Sequence, residues 1–148
     1  MQQQIDTRGL LISWFDINTI DAVNFRFHLE QTPAQEAWLA EKTAEADLEY
    51  RNAVDQADEM KSIAFMLAKR NPYTRMSAQR GEIKVDCSDA IAEHIAKIDP
   101  TYLQLKKVVN QLRADRDRWL GYSKAMQTKK AFLASLAGIA RDELKQFK

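Results

Sequence analysis

Every seventh residue from Leu105 to the end of the chain is apolar: Leu105, Leu112, Trp119, Met126, Leu133, Ala140 and Phe147. A seven-residue apolar repeat is the spacing at which one helix keeps a single face turned toward another. Its length constrains the fold more than any other feature of the sequence. No proline interrupts it. Gly121 and Gly138 each weaken it by about 1 kcal/mol relative to alanine, and are candidate bend points. Asp99-Pro100 supplies an N-cap and a first helical residue, so a last helix is expected over 99–147. At 1.5 Å per residue it would run roughly 70 Å if unbroken.

The companion is expected over 32–70. "TPAQ" at 32–35 reads as a helix start, with Thr32 to cap, Pro33 for the first position and Gln35 to reach back. No glycine or proline follows until Asn71-Pro72 stops the helix. Ahead of it, "NFRFHLE" alternates, with Phe25, Phe27 and Leu29 on one side and Arg26 and His28 on the other, the pattern of a strand or extended arm. Residues 71–87 read as a basic loop turning at Gly81. Ser88 then caps a short helix over 88–98, with Ile91, Ile95 and Ile98 as its buried stripe.

The expected fold class is therefore mainly α: a long helical hairpin of two long helices plus a short one, behind an N-terminal extended arm over 1–31. A 148-residue chain cannot cover two such rods by itself. An oligomer is expected, held by Leu105, Leu112, Trp119, Met126, Leu133 and Phe147. The alternating row of the seam turns polar at Arg116, Ser123 and Lys130, where it can set register or line a groove.

Net charge is only +1, yet the charges are divided. Residues 1–60 carry four basic and twelve acidic side chains; residues 61–148 carry eighteen and nine. That split points to an anionic ligand on the second part, or to an acidic helix lying along a basic one. Single nucleic-acid strands are held by cations that track phosphates and by rings that stack on bases. Candidate cations are Lys69, Arg70, Arg75, Arg80 and Lys84 around the loop. In the last helix they are Arg113, Arg116, Arg118, Lys124, Lys129 and Lys130. Tyr73 and Tyr122 are candidate rings, whereas Trp119 lies on the apolar row and reads as core.

Signatures of catalysis are missing. The sequence has no phosphate-binding glycine loop, no nucleophile elbow and no Cys-x-x-Cys pair, and its two histidines, His28 and His94, stand apart from any metal-ligand spacing. No enzyme activity, cofactor or metal is expected. One cysteine, Cys87, suits a reducing cytoplasm. The longest apolar run, "GLLISWF" at 9–15, is too short to span a bilayer and lacks the marks of a signal peptide, so no membrane role is expected.

The order of segments resembles the phage recombination mediator proteins of the UvsY type. The likeness lies in "WFDINTID", in Pro33 opening a long charged helix that ends in a basic segment, in a short amphipathic helix after a loop, and in a last helix finishing "KKAFLASLAGIARDEL". It implies a ring-forming helical protein of the host cytoplasm that binds single-stranded DNA. Such a protein would displace single-strand-binding protein and load a RecA-like recombinase. By position, the resemblance also implies DNA contacts at Lys61, Lys69 and Arg70. The alternative reading is a non-enzymatic helical scaffold or inhibitor acting through protein contacts.

Overall fold

A computed structural model of the protein describes residues 13–70, 73–77, 81–85 and 87–147, with the backbone alone considered in 73–77 and 81–85. The chain is mainly helical. A 3-10 turn at Ile17–Thr19 leads into α1 (Phe25–Arg70); strands β1 (Tyr73–Ser77) and β2 (Gly81–Val85) follow, then α2 (Asp89–Ile98) and α3 (Pro100–Gln146). Among the described residues, no helix is long and apolar enough to cross a membrane.

The first long helix starts earlier than its sequence suggests. Asp21 Oδ1 accepts from the backbone N–H groups of Val23 and Asn24 at 2.8 and 2.9 Å, and Asn24 Oδ1 accepts from the Asp21 N–H at 2.8 Å. This reciprocal arrangement is a capping box, and the Phe25 N–H donates to the Asp21 carbonyl behind it. Residues 25–31, expected in an extended arm, are therefore helical. The Phe25, Phe27 and Leu29 alternation does not mark one covered side, since Phe27 and Leu29 are both exposed. Thr32 is no cap: it is buried mid-helix and its hydroxyl donates to the His28 carbonyl at 2.7 Å. Pro33 lies inside α1, where it removes the N–H that would have bonded the Leu29 carbonyl.

The segment read as a loop holds an antiparallel strand pair, with Tyr73 opposite Val85, Arg75 opposite Ile83 and Ser77 opposite Gly81. Gly81 opens β2. The α2 start is as expected, Ser88 Oγ accepting from the Ile91 N–H at 3.3 Å. Its stripe is not. Ala92 and Ala96 are fully buried, while Ile95 and Ile98 are exposed and Ile91 is half-buried. Small side chains bring this short helix close to its neighbours and leave the isoleucines outside. In α3, Asp99 Oδ1 accepts from the Tyr102 N–H at 2.9 Å ahead of Pro100. Neither Gly121 nor Gly138 breaks the helix, and a Cβ at either would meet open space.

The chain divides into two compact units: residues up to 46 together with those from 116 onward, and residues 47–115. In the first, the α1 and α3 segments run antiparallel around Leu39 and Met126, each 1% exposed. Five rings surround that pair. Trp14 meets Trp38 edge-on at 5.4 Å, Trp38 meets Trp119 at 5.6 Å, Trp119 meets Tyr122 at 5.5 Å, and Phe15 stacks on Tyr122 at 5.7 Å. Thr43 and Ser123 hydrogen-bond at 3.1 Å, so one polar residue of the seam sets register within the chain.

The second unit is built differently. Ala53, Ala57 and Val109 form its buried cluster, flanked by half-buried Tyr50, Val54, Tyr102, Leu105 and Leu112. The residues expected to join subunits are mostly used inside one chain. Leu105 and Leu112 pack in this unit, Trp119 and Met126 pack in the aromatic unit, and Leu133 is fully buried. Phe147 alone of that set stands on the surface, 89% exposed.

Candidate nucleic-acid interface

Four of the ten expected DNA contacts already hold carboxylates. Lys61 Nζ lies 2.8 Å from Glu93 Oε1. That hydrogen bond raises the lysine pKa above its ordinary value and lowers the glutamate's. Lys69 Nζ pairs with Asp89 at 2.9 Å and donates to the Cys87 carbonyl at the same distance. Lys130 pairs with Glu36 at 2.8 Å; its hydrogen bond holds that carboxyl below its usual range, and Gln127 adds a second at 3.2 Å. Arg116 pairs with its neighbour Asp117 at 3.0 Å. The Glu36–Lys130 pair joins the acidic helix to the basic one, as the alternative reading of the charge split requires.

The remaining expected contacts divide by place. Arg70 ends α1 and Lys124 sits on α3; both are exposed, and neither makes an ion pair among the described residues. Tyr73 and Arg75 lie on β1 and Lys84 on β2. Arg80 falls outside the described residues. Lys61, Lys69, Arg70 and the strand residues belong to the second unit, whereas Arg116, Lys124 and Lys130 belong to the first.

One expected cation is not on a surface at all. Lys129 is 1% exposed, and its ammonium donates to Gln35 Oε1 at 3.2 Å. Burial pushes its pKa down. His28, near it on α1, is also held below the usual imidazole value, first by burial and then by the Lys129 charge, with Asp21 opposing. Trp119 and Tyr122 are engaged in the ring cluster.

A second cationic feature includes Arg113, one of the candidate cations, and adds Lys106. In the second unit a groove of about 190 Å³ opens between α1 and α3. One wall carries Lys106, Asn110 and Arg113, three exposed residues at i, i+4 and i+7 along α3; Tyr50 and Tyr102 contribute rings, and Asp58 lies on the α1 side. Arg113 holds its guanidinium 5.8 Å from the Tyr50 ring centre and donates to the Tyr50 hydroxyl at 3.4 Å. The helical spacing of the cations was visible in the sequence. Tyr102 stands one turn before Lys106 on the same helix, whereas Tyr50 is far off in the chain and meets the cations only through antiparallel pairing. Comparison with protein families, with curated proteins and with solved structures gives no match.

Proposed function

We propose that the protein binds single-stranded DNA and acts as a recombination mediator, assembling as a ring, displacing single-strand-binding protein and helping a RecA-like recombinase onto the strand in the host cytoplasm. The observation that carries the DNA-binding part is the set of cations left over. After Lys61, Lys69, Arg116 and Lys130 have taken carboxylates, Arg70, Lys106, Lys107 and Lys124 remain exposed without an ion-pair partner among the described residues. Exposed, unneutralised cations are the groups that release counterions when they meet phosphates. Arg75, Arg80 and Lys84, which follow Arg70 in the sequence, are proposed as further contacts. The mediator role and the ring rest on the resemblance in segment order, with exposed Phe147 as a candidate subunit contact.

Fluorescence anisotropy of a labelled single-stranded oligonucleotide tests the reading. The expected result is binding at low salt that weakens steeply as salt rises, with duplex DNA a poor competitor. Each of Arg70→Gln and Lys124→Gln should lower the salt slope by about 0.7 if its cation meets one phosphate. Absence of binding at low salt overturns the proposal. The Glu36–Lys130 and Lys61–Glu93 pairs favour a second reading, a scaffold or inhibitor whose charges neutralise one another within the chain. For the mediator step, recombinase ATPase activity on a strand coated with single-strand-binding protein should start sooner when the protein is present.

A further inference from the structure

We propose that the groove lined by Tyr50, Tyr102, Lys106, Asn110 and Arg113 is the seat of one nucleotide of the bound strand, with the backbone phosphate on Lys106 and Arg113 and the base against Tyr50 or Tyr102. This rests on the single-strand reading above and adds a site to it.

Size is the first reason. At about 190 Å³ the groove falls below the roughly 300–1,000 Å³ that encloses a free small ligand, so it suits one piece of a longer chain lying across it. Charge is the second. Lys106 and Arg113 sit on the same stripe of α3, two turns apart, with the Asn110 amide between them, and Lys106 has no carboxylate partner among the described residues. Lysine offers a phosphate a point charge, and arginine offers it a planar fork.

The rings supply the third reason. Tyr50 and Tyr102 are only half-buried, because the residues beneath them are Ala53, Ala57 and Val109, too small to draw the rings fully inside. The Arg113 guanidinium close to the Tyr50 ring continues this flat surface with a cationic plane, on which a base can also stack. Asp58 then fixes orientation. A carboxylate on the α1 side repels phosphate, so the backbone is directed to the Lys106 and Arg113 cations of α3.

The test titrates a fluorescein-labelled 20-mer oligodeoxythymidylate with the full chain across a salt series. The proteins are wild type, Lys106→Gln/Arg113→Gln, Asp58→Asn, and Lys145→Gln as a control, with helicity checked by circular dichroism. Loss of two phosphate contacts should weaken binding about tenfold at low salt and reduce the salt slope by about 1.4. Asp58→Asn should bind about twofold tighter, and Lys145→Gln should match wild type. A 5-bromouracil version of the oligonucleotide should crosslink to Tyr50 or Tyr102 under ultraviolet light. If wild type binds and the folded double variant keeps its affinity and slope, the groove assignment is overturned while the single-strand reading stands. If wild type does not bind, the single-strand reading itself fails. If poly-L-glutamate of equal charge displaces the strand as well as unlabelled oligonucleotide does, the groove takes anionic chains in general and its assignment to a nucleotide is overturned.

Discussion

The two units use the same pair of long helices and fill the space between them in opposite ways. In the first, bulky side chains dominate: Leu39 and Met126 are sealed by three tryptophans, a phenylalanine and a tyrosine, and a lysine is buried nearby. In the second, alanines dominate, with Ala53 and Ala57 against Val109 and with Ala64, Ala92 and Ala96 also buried. Large rings seal Leu39 and Met126 at the ring cluster. Small residues leave the tyrosines beside them half-covered, and a groove results.

This comparison can be broken by mutation, most severely in the ring cluster. Leu39→Ala should cost about 2–5 kcal/mol, because five rigid rings cannot collapse into the cavity. For a chain of this size that lowers the melting temperature by roughly 2–4 °C per kcal/mol, readable by thermal circular dichroism. The opposite change belongs in the other unit. Ala57→Leu should cost about 1–3 kcal/mol by overpacking, and should also occlude the groove it lines. A urea titration checks the first effect and the oligonucleotide titration the second. Equal tolerance of both substitutions would mean that the two packing styles do not differ.

Lys129 sharpens the contrast at a smaller scale. A buried ammonium with one amide partner is expensive, so Lys129→Met should raise stability by about 1 kcal/mol or more, measured as a higher urea midpoint. The smallest effect concerns pH. His28 is held below the usual imidazole value of about 6.5, so the unfolded chain takes up its proton first as pH falls. Stability from this group is complete above about pH 6.5 and is lost as pH drops through the folded value. Urea midpoints at pH 7.5 and 5.5 should therefore show a decline that His28→Gln abolishes and Lys129→Met makes shallower.

How much of this was legible depends on how local each signal is. Ser88 and Asp99-Pro100 announced their helices because a cap acts over three or four residues. The apolar row of α3 announced a packed face, though it did not say that the partner was the chain's own α1. The start of α1 was misread because two caps compete, and the Asp21–Asn24 box forms although it precedes a proline that elsewhere opens helices. The strands were missed because their β-branched residues are diluted by charge in "YTRMS" and "GEIKV". Ion pairs such as Lys61–Glu93 are long-range choices among many similar side chains, and burial of Lys129 beside exposed Lys130 follows from helix rotation that one row of letters does not reveal.

The aromatic unit is discontinuous in the chain, and that has a consequence for synthesis on the ribosome. Trp14, Trp38 and Leu39 emerge early, while their partners Trp119, Tyr122 and Met126 come after residues 47–115 have been made. At about 5–20 residues per second, the nascent chain carries an unmatched apolar surface for several seconds to well over ten. The second unit meets no such delay, since its segments follow one another directly. Vectorial production therefore orders the assembly: the alanine-packed unit can close first, and Trp14 and Trp38 wait for α3.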